Sequence, residues 1–431
     1  MRIHVLTNLF PPDVLGGYEL LTQDVVAGLR ARGHVVTVVT TGEGARVGDT
    51  VRILRLARRF GSSPRRDLAR HFVVGLANRW RLQEFLDAEL RPDAVLVMSL
   101  RRLGVEPARV YAARGIPQVF TVNDDWPSAF SVGQRRRAGG GRRPGLAFDR
   151  AGVRGWIARW MDKAPFSLHT WHDLKPTRVV YLSDSVRSDV LRGGAPFPRG
   201  LVCAQGVDPA MFTSRAFRPI TSTPRLLFVG RLHPSKAPEV AIDTLASLRR
   251  RGVDARLTVA GAAVSPEYGQ ELRAYAERQG VAAQVEWLGF VERGSLNALY
   301  ANSDVFLYPL RGGFEAQGLT YMEAMAVGTP VVGFPEGGAK ELLAEHPVLL
   351  RAATCDGEAF ADAVEALRLD PDAQRVLVDR ARDWLFQFAS LDHYIDTLEG
   401  ELELAAGSAV AGSPELAGGP CRQPSWRLGR P

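Results

Sequence analysis

Apolar residues recur along this chain as short blocks separated by longer amphipathic stretches. Residues 2–7 form the first block. In the stretch after it, Leu21, Val25 and Leu29 fall on one helical face that ends near Gly33. Further blocks at 35–40, 51–56, 94–98, 118–122 and 179–182 read as strands. Those at 94 and 118 are each introduced by a proline, and the last runs into a helix ending at Gly193-Gly194. The pattern restarts at Arg225, with blocks at 226–229, 257–260, 285–287, 305–308 and 330–332. The helix after the first of these shows Ala241, Leu245 and Leu248 on one face before Gly252. Short buried strands alternating with helices predict two parallel α/β domains. Doubly wound domains place their ligand crevices at the carboxyl ends of the strands, and two facing each other would share one interdomain cleft.

Residues 196–223 are rich in proline and glycine and read as the linker. The predicted domains are therefore 1–205 and 206–390. A last helical pattern at about 375–404 ends in a terminal helix, 391–404, that would cross back to the first domain. From Ala405 the chain is Gly, Ala, Ser and Pro with little apolar content, which predicts a disordered tail over 405–431. The α/β pattern fails between Ser128 and Pro144. There the run GQRRRAGGGRRPG (133–145) holds five arginines and five glycines and reads as a mobile loop, either a clamp on a phosphate or lipid head group or a solvated insertion.

Length and composition narrow the classes. A chain of 431 residues with 46% hydrophobic and 23% charged residues suits two or three soluble globular domains. No apolar run approaches the roughly 18 residues of a membrane span, and residues 1–10 read as a strand and turn rather than a signal peptide; the expected compartment is the cytoplasm. Cys203, Cys355 and Cys421 form no CxxC pair, so neither a disulfide framework nor a zinc site is indicated, and the first two read as buried structural thiols. Residues 1–205 carry 32 Lys and Arg against 18 Asp and Glu, a balance of +14, whereas residues 206–431 carry 22 against 29, or −7. A basic first half fits an anionic partner, such as a phosphorylated acceptor or a membrane surface touched peripherally; it equally fits an arginine-rich solvated face. The aromatic interleaving of a nucleic-acid binder is missing, so no nucleic acid is expected.

Candidate chemistry concentrates in FEAQGLTYMEAMAVGTPVVGFPEGG, which starts at Phe314. Seven residues separate Glu315 from Glu323. Gly318 permits a tight turn, and 319–326 reads as a helix ending at Gly328. The N–H groups at the helix start favour a phosphate. Glu323, placed in the second turn, suits a vicinal diol such as that of ribose, and Glu315 would lie one sugar further along. Carboxylates near helix starts are common, so on their own the two glutamates also fit a solvated surface pair.

The wider context is more specific. Glu323-Ala324-Met325-Ala326, Gly328, Pro330-Val331-Val332 and Gly337-Gly338 resemble the retaining glycosyltransferases of family 4 (glycosyl transferases group 1). These have the GT-B fold of two facing Rossmann-like domains with an interdomain cleft. Leu227 to Leu232 followed by Lys236 resembles the element that supplies an arginine and a lysine to the donor diphosphate, here Arg231 and Lys236, with Ala237-Pro238 where the family usually has glycine. Gly206-Val207-Asp208 with Phe212, Ser183 to Arg187, and Pro12 with Gly16-Gly17-Tyr18-Glu19 resemble further family elements.

The resemblance implies a metal-independent, cofactor-free transfer of a hexosyl group from a nucleoside-diphosphate sugar, with retention. Arg231 and Lys236 would stabilise the departing diphosphate together with Gly17, Gly318, Leu319 and Thr320; Glu323 would hold ribose and Glu315 the donor sugar. The acceptor would be a small molecule, a glycan or a lipid-linked group. Many family members carry a histidine where this chain has Asn123, which can hydrogen-bond a sugar but cannot titrate near neutral pH. Asp124 and Asp125 would bind the acceptor or cap the next helix. The competing readings are a sugar-nucleotide epimerase or hydrolase on the same fold and a catalytically silent sugar-nucleotide-binding protein.

Overall fold

The computed structural model describes residues 1–14, 16–42, 46–57, 64–124, 126–127, 174, 176–192, 195, 197, 200–312, 315–343 and 347–410. The arginine and glycine run at 133–145, Asp125 and Cys421 lie outside these. The chain forms two compact units, Met1–Cys203 together with the chain from Ile395 onward, and Ala204–Tyr394.

In the first unit eight strands form one sheet: β1 (Arg2–Leu6), β2 (Val35–Thr41), β3 (Arg46–Val47), β4 (Thr50–Leu54), β5 (Ala94–Val97), β6 (Gln118–Val122), β7 (Arg178–Tyr181) and β8 (Leu201–Val202). Their order is β3-β4-β2-β1-β5-β6-β7-β8, parallel except for β3 against β4. β5 and β6 are buried at every residue, which is why they read as unbroken apolar runs. The helices are α1 (Gly17–Ala31), α2 (Pro64–Ala88), α3 (Glu106–Ala113) and α4 (Asp184–Arg192). In the second unit β9 (Arg225–Val229), β10 (Arg256–Ala260), β11 (Val285–Gly289), β12 (Val305–Pro309), β13 (Val331–Phe334) and β14 (Leu350–Arg351) pair in the order β11-β10-β9-β12-β13-β14, all parallel. Leu226 and Phe228 of β9 join one core layer with Ile242 and Phe360, and Leu227 joins the other with Tyr300 and Phe306; the two faces alternate along the strand. The helices here are α5 (Pro238–Arg250), α6 (Pro266–Arg278), α7 (Arg293–Ala301), α8 (Thr320–Val327), α9 (Gly337–Leu342), α10 (Gly357–Leu369) and α11 (Pro371–Phe388), and α12 (Leu391–Val410) begins in this unit and continues into the first.

Four differences from the sequence pattern have physical causes. The block at 51–56 ends as a strand at Leu54 and is preceded by the antiparallel β3. The 25-residue α2 is hidden from an apolar period because its inward face carries Asn78, fully buried, which bonds the backbone of Arg55 in both directions and Leu103 O. The pattern at 375–404 is two helices, broken where Val207 N–H donates to Ala389 O and Leu391 N–H to Val207 O. Gly206 allows that approach, since a Cβ there would stand 1.9 Å from the Ser390 carbonyl carbon. Finally, α12 runs to Val410, so residues 405–410 are helical and not the start of a tail.

Candidate functional site

The strand order of the second unit reverses between β9 and β12, the place where doubly wound sheets bind ligands at the strands' carboxyl ends. β9 is followed by Gly230 at φ 156° and by Arg231, which stands exposed. A 3-10 turn at Pro234–Lys236 comes next. His233 fastens it: Nδ1 accepts from Ser235 N–H at 3.1 Å, and Lys236 N–H donates to His233 O at 2.8 Å. The turn enters α5 through Ala237 in the left-handed region, φ 46° and ψ 50°. Here the resemblance predicts glycine; left-handed backbone costs alanine about 1 kcal/mol, and full burial of its methyl offsets part of that.

The loop leaving β12 meets this turn. Arg311 N–H donates to Ser235 O at 3.1 Å, and its guanidinium reaches Glu239 at 3.0 Å and Cys355 O at 3.1 Å. Lys236 Nζ donates to the Glu315 carboxylate. Burial, reinforced by the Arg231 guanidinium, pushes the Lys236 ammonium down to about 8, while the touching carboxylate acts in the opposite direction. Glu315 O accepts from Gly338 N–H at 2.9 Å. Gly337 sits at φ 59°, where a Cβ would stand 2.4 Å from that oxygen. The paired glycines of the motif thus hold the backbone of its first glutamate.

Between the two glutamates, Gln317 is 1% exposed and trades amide bonds with the backbone of Gln205, accepting at 3.0 Å and donating at 2.9 Å. Sequence reasoning passed over it; its signal is an amide, able to donate and accept, inside an otherwise apolar motif. Gly318 follows at φ 84° against Tyr308, whose Oη would lie 2.2 Å from a Cβ. Among the described residues no side chain caps the first turn of α8, whose first helical residue is Thr320.

Glu323 is the fourth residue of α8 and so belongs to the first turn rather than the second, because the helix starts one residue later than the pattern suggested. The residue is 6% exposed, and its carboxylate accepts from Tyr300 Oη at 2.8 Å. Tyr300, near the end of α7, packs edge-on against Phe212 and Phe306. Burial, then the Glu323 carboxylate, raises its phenol well above the ordinary value of 10, so it remains a proton donor at neutral pH.

In the first unit the order reverses between β1 and β5. Gly16 N–H donates to Glu19 Oε2 at 2.9 Å, Gly17 opens α1, and Tyr18 Oη donates to Met98 O past the end of β5. Asn123, 4% exposed, follows β6 directly. Asp124 pairs with Arg101 at 3.0 Å and accepts from Trp126 N–H at 2.8 Å, so it shapes the turn after the strand. Cys203 is buried with Sγ 3.5 Å from Thr397 Oγ1, and Cys355 is half-buried.

The sequence model of Glycosyltransferase Family 4 matches residues 15–210, and that of Glycosyl transferases group 1 matches residues 212–384. Between them the two models match most of the chain, which is a glycosyltransferase. Among curated relatives, this glycosyltransferase is 26% identical to the Mycobacterium tuberculosis glycogen synthase over 406 residues, covering 89% of the chain and 90% of the relative. It is 30% identical to the D-inositol 3-phosphate glycosyltransferase of Actinosynnema mirum over 273 residues, 54% of the chain and 65% of the relative. Among solved structures, Anabaena HepE in complex with UDP aligns with a TM-score of 0.67 at 19% identity over 94% of this chain and all of that one. A glycosyltransferase from Rickettsia africae gives 0.67 at 17% identity, covering 96% and 100%. These structures show that the glycosyltransferase has the GT-B fold.

Proposed function

We propose that this glycosyltransferase moves a hexosyl group from a nucleoside-diphosphate sugar to an acceptor hydroxyl, with retention at the anomeric carbon and without a metal. The observation that carries the reading is the gathering, at the β9/β12 switch point, of Arg231, Lys236, Glu315, Glu323 and the start of α8. Arg231 and Lys236 take the donor diphosphate, aided by the N–H groups of Gly318, Leu319 and Thr320. These cations and dipoles supply the charge stabilisation a metal ion gives elsewhere. Glu323 accepts from the ribose diol and Glu315 from the donor sugar's hydroxyls. As the anomeric carbon–phosphate oxygen bond breaks, the acceptor oxygen forms its bond on the same face, and its proton passes to the departing diphosphate.

Asn123, Asp124 and Asp125 are assigned to the acceptor, where Asn123 positions without titrating. The UDP held by the HepE structure and the sugar-transfer names of the relatives support the donor class. The basic residues of the first half fit an anionic or lipid-linked acceptor and a cytoplasmic, membrane-peripheral setting. No described helix is long and apolar enough to cross a membrane. The test is calorimetric binding of UDP, GDP, ADP and TDP, alone and as sugar conjugates. One base should bind with a dissociation constant of roughly micromolar order, and Arg231→Ala and Glu323→Ala should each abolish binding. Undiminished binding by Glu323→Ala would remove the ribose assignment.

A further inference from the structure

The contact between Lys236 and Glu315 has a consequence for which ligands the site accepts. Both side chains are largely covered, at 28% and 14% exposure, and both stand on backbone held in place. Lys236 ends a 3-10 turn fixed by His233 and by the Arg311–Ser235 backbone bond. Glu315 is fixed from behind by Gly338 N–H and by the close approach of Gly337.

A diphosphate that recruits Lys236 therefore takes the ammonium from Glu315, or shares it. A largely covered carboxylate stripped of its partner is strongly unfavourable unless new donors replace the lost one. A sugar attached to the terminal phosphate brings hydroxyl donors to that position. A free nucleoside diphosphate brings none, and its terminal phosphate adds negative charge facing the carboxylate.

On the reading of Lys236 as a diphosphate ligand given above, we propose that Glu315 is a specificity-determining residue that makes the site prefer a nucleotide sugar over the free nucleoside diphosphate, by competing for Lys236. The carboxylate thus opposes retention of the diphosphate product as well as orienting the donor sugar.

The experiment is isothermal titration at pH 7 with UDP, GDP, ADP and TDP and with their glucose conjugates, using the full chain and the variants Glu315→Gln, Lys236→Ala and the double variant. Glu315→Gln should bind the accepted free diphosphate roughly tenfold more tightly, the scale of one charge-assisted hydrogen bond between partly buried groups, and should narrow the preference for its sugar conjugate. The gain should vanish when Lys236 is already alanine. If Glu315→Gln binds the free diphosphate no better, or if its gain persists without Lys236, the competition proposal fails and Lys236 stands as a phosphate ligand. If Lys236→Ala alone leaves diphosphate affinity unchanged, the reading of the site itself fails. Thermal unfolding checks each variant's fold, and Glu315→Ala, read by the same criteria, replaces the amide variant if that one is unstable.

Discussion

Tyr300 donates its hydroxyl hydrogen to Glu323 across 2.8 Å, and both side chains are buried. The proposed ribose ligand is thus oriented from beneath by a neighbouring helix. Tyr300→Phe keeps the ring that packs on Phe212 and Phe306 and removes only the donor. Removing one donor from a buried acceptor costs about 1–3 kcal/mol, so nucleotide affinity should fall several-fold or more while turnover at saturating donor changes little. A lowered melting temperature with unchanged affinity would show that Tyr300 serves the core alone.

Lys236 gives the proposed donor site an alkaline limit. Its ammonium is pushed down to about 8 by burial and by Arg231, so the charged form prevails below that value and is lost above it. Affinity for a nucleoside diphosphate should therefore weaken as pH rises through about 8, provided the Glu315 contact is intact. In Glu315→Gln, which lacks the opposing carboxylate, the limit should move to lower pH. Lys236→Arg should remove it, because a guanidinium does not titrate there. Titrations from pH 6.5 to 9.5 decide the matter.

Gly318 joins the Glu315 loop to α8, which carries Glu323, through a left-handed turn packed on Tyr308 Oη. Gly318→Ala adds a methyl 2.2 Å from that oxygen and strains the backbone at φ 84°, so it should destabilise the second unit by roughly 2–3 kcal/mol and impair donor binding. Adding Tyr308→Phe removes the nearest atom and leaves the next at 3.2 Å. The double variant should recover the steric part and keep the backbone part, about 1 kcal/mol. Urea unfolding of the single and double variants measures both parts.

His4 on β1 is 2% exposed, with Nδ1 2.9 Å from Tyr111 Oη. Burial, then Arg2, pushes its imidazole from 6.5 down to about 4. On acidification the unfolded chain takes up this proton before the folded one does, so folding stability falls between those two values. From pH 7 to pH 5 the loss from this group is about 2 kcal/mol. His4→Gln, which still offers Tyr111 a partner, should lose that much less stability over the same range in denaturant unfolding.

The sheets were legible because parallel strands buried on both faces must be short apolar runs, and 94–97, 118–122 and 305–309 have little other composition open to them. The candidate-site residues were legible because their spacing survives in one dimension: a strand, a glycine turn and a helix start lie in sequence around Glu315 and Glu323. What escaped notice depends on partners distant in the chain. Asn78 hides a helix because its amide satisfies backbone at Arg55 and Leu103. Gln317 and Tyr300 act through Gln205 and Glu323, 112 and 23 residues away, and no local pattern announces either contact. The end of α12 was misplaced for another reason. Its last residues, Gly, Ser and Ala among them, are weak signals for helix.

The first unit is not contiguous in sequence. Ile395 lies so close to α1 that a Cβ on Gly28 would stand 2.3 Å from its Cδ1. Asp396, Glu399 and Glu401 pair with Arg32, His34 and Arg178. A ribosome therefore makes nearly all of this unit first, then the second, and only then the helix whose Ile395, Leu398 and Leu402 are buried in the folded protein. During that interval the early half is a nascent chain awaiting its own last piece. A fragment ending at residue 205 should be aggregation-prone when produced alone, and a peptide spanning 391–410 supplied in trans should rescue its solubility.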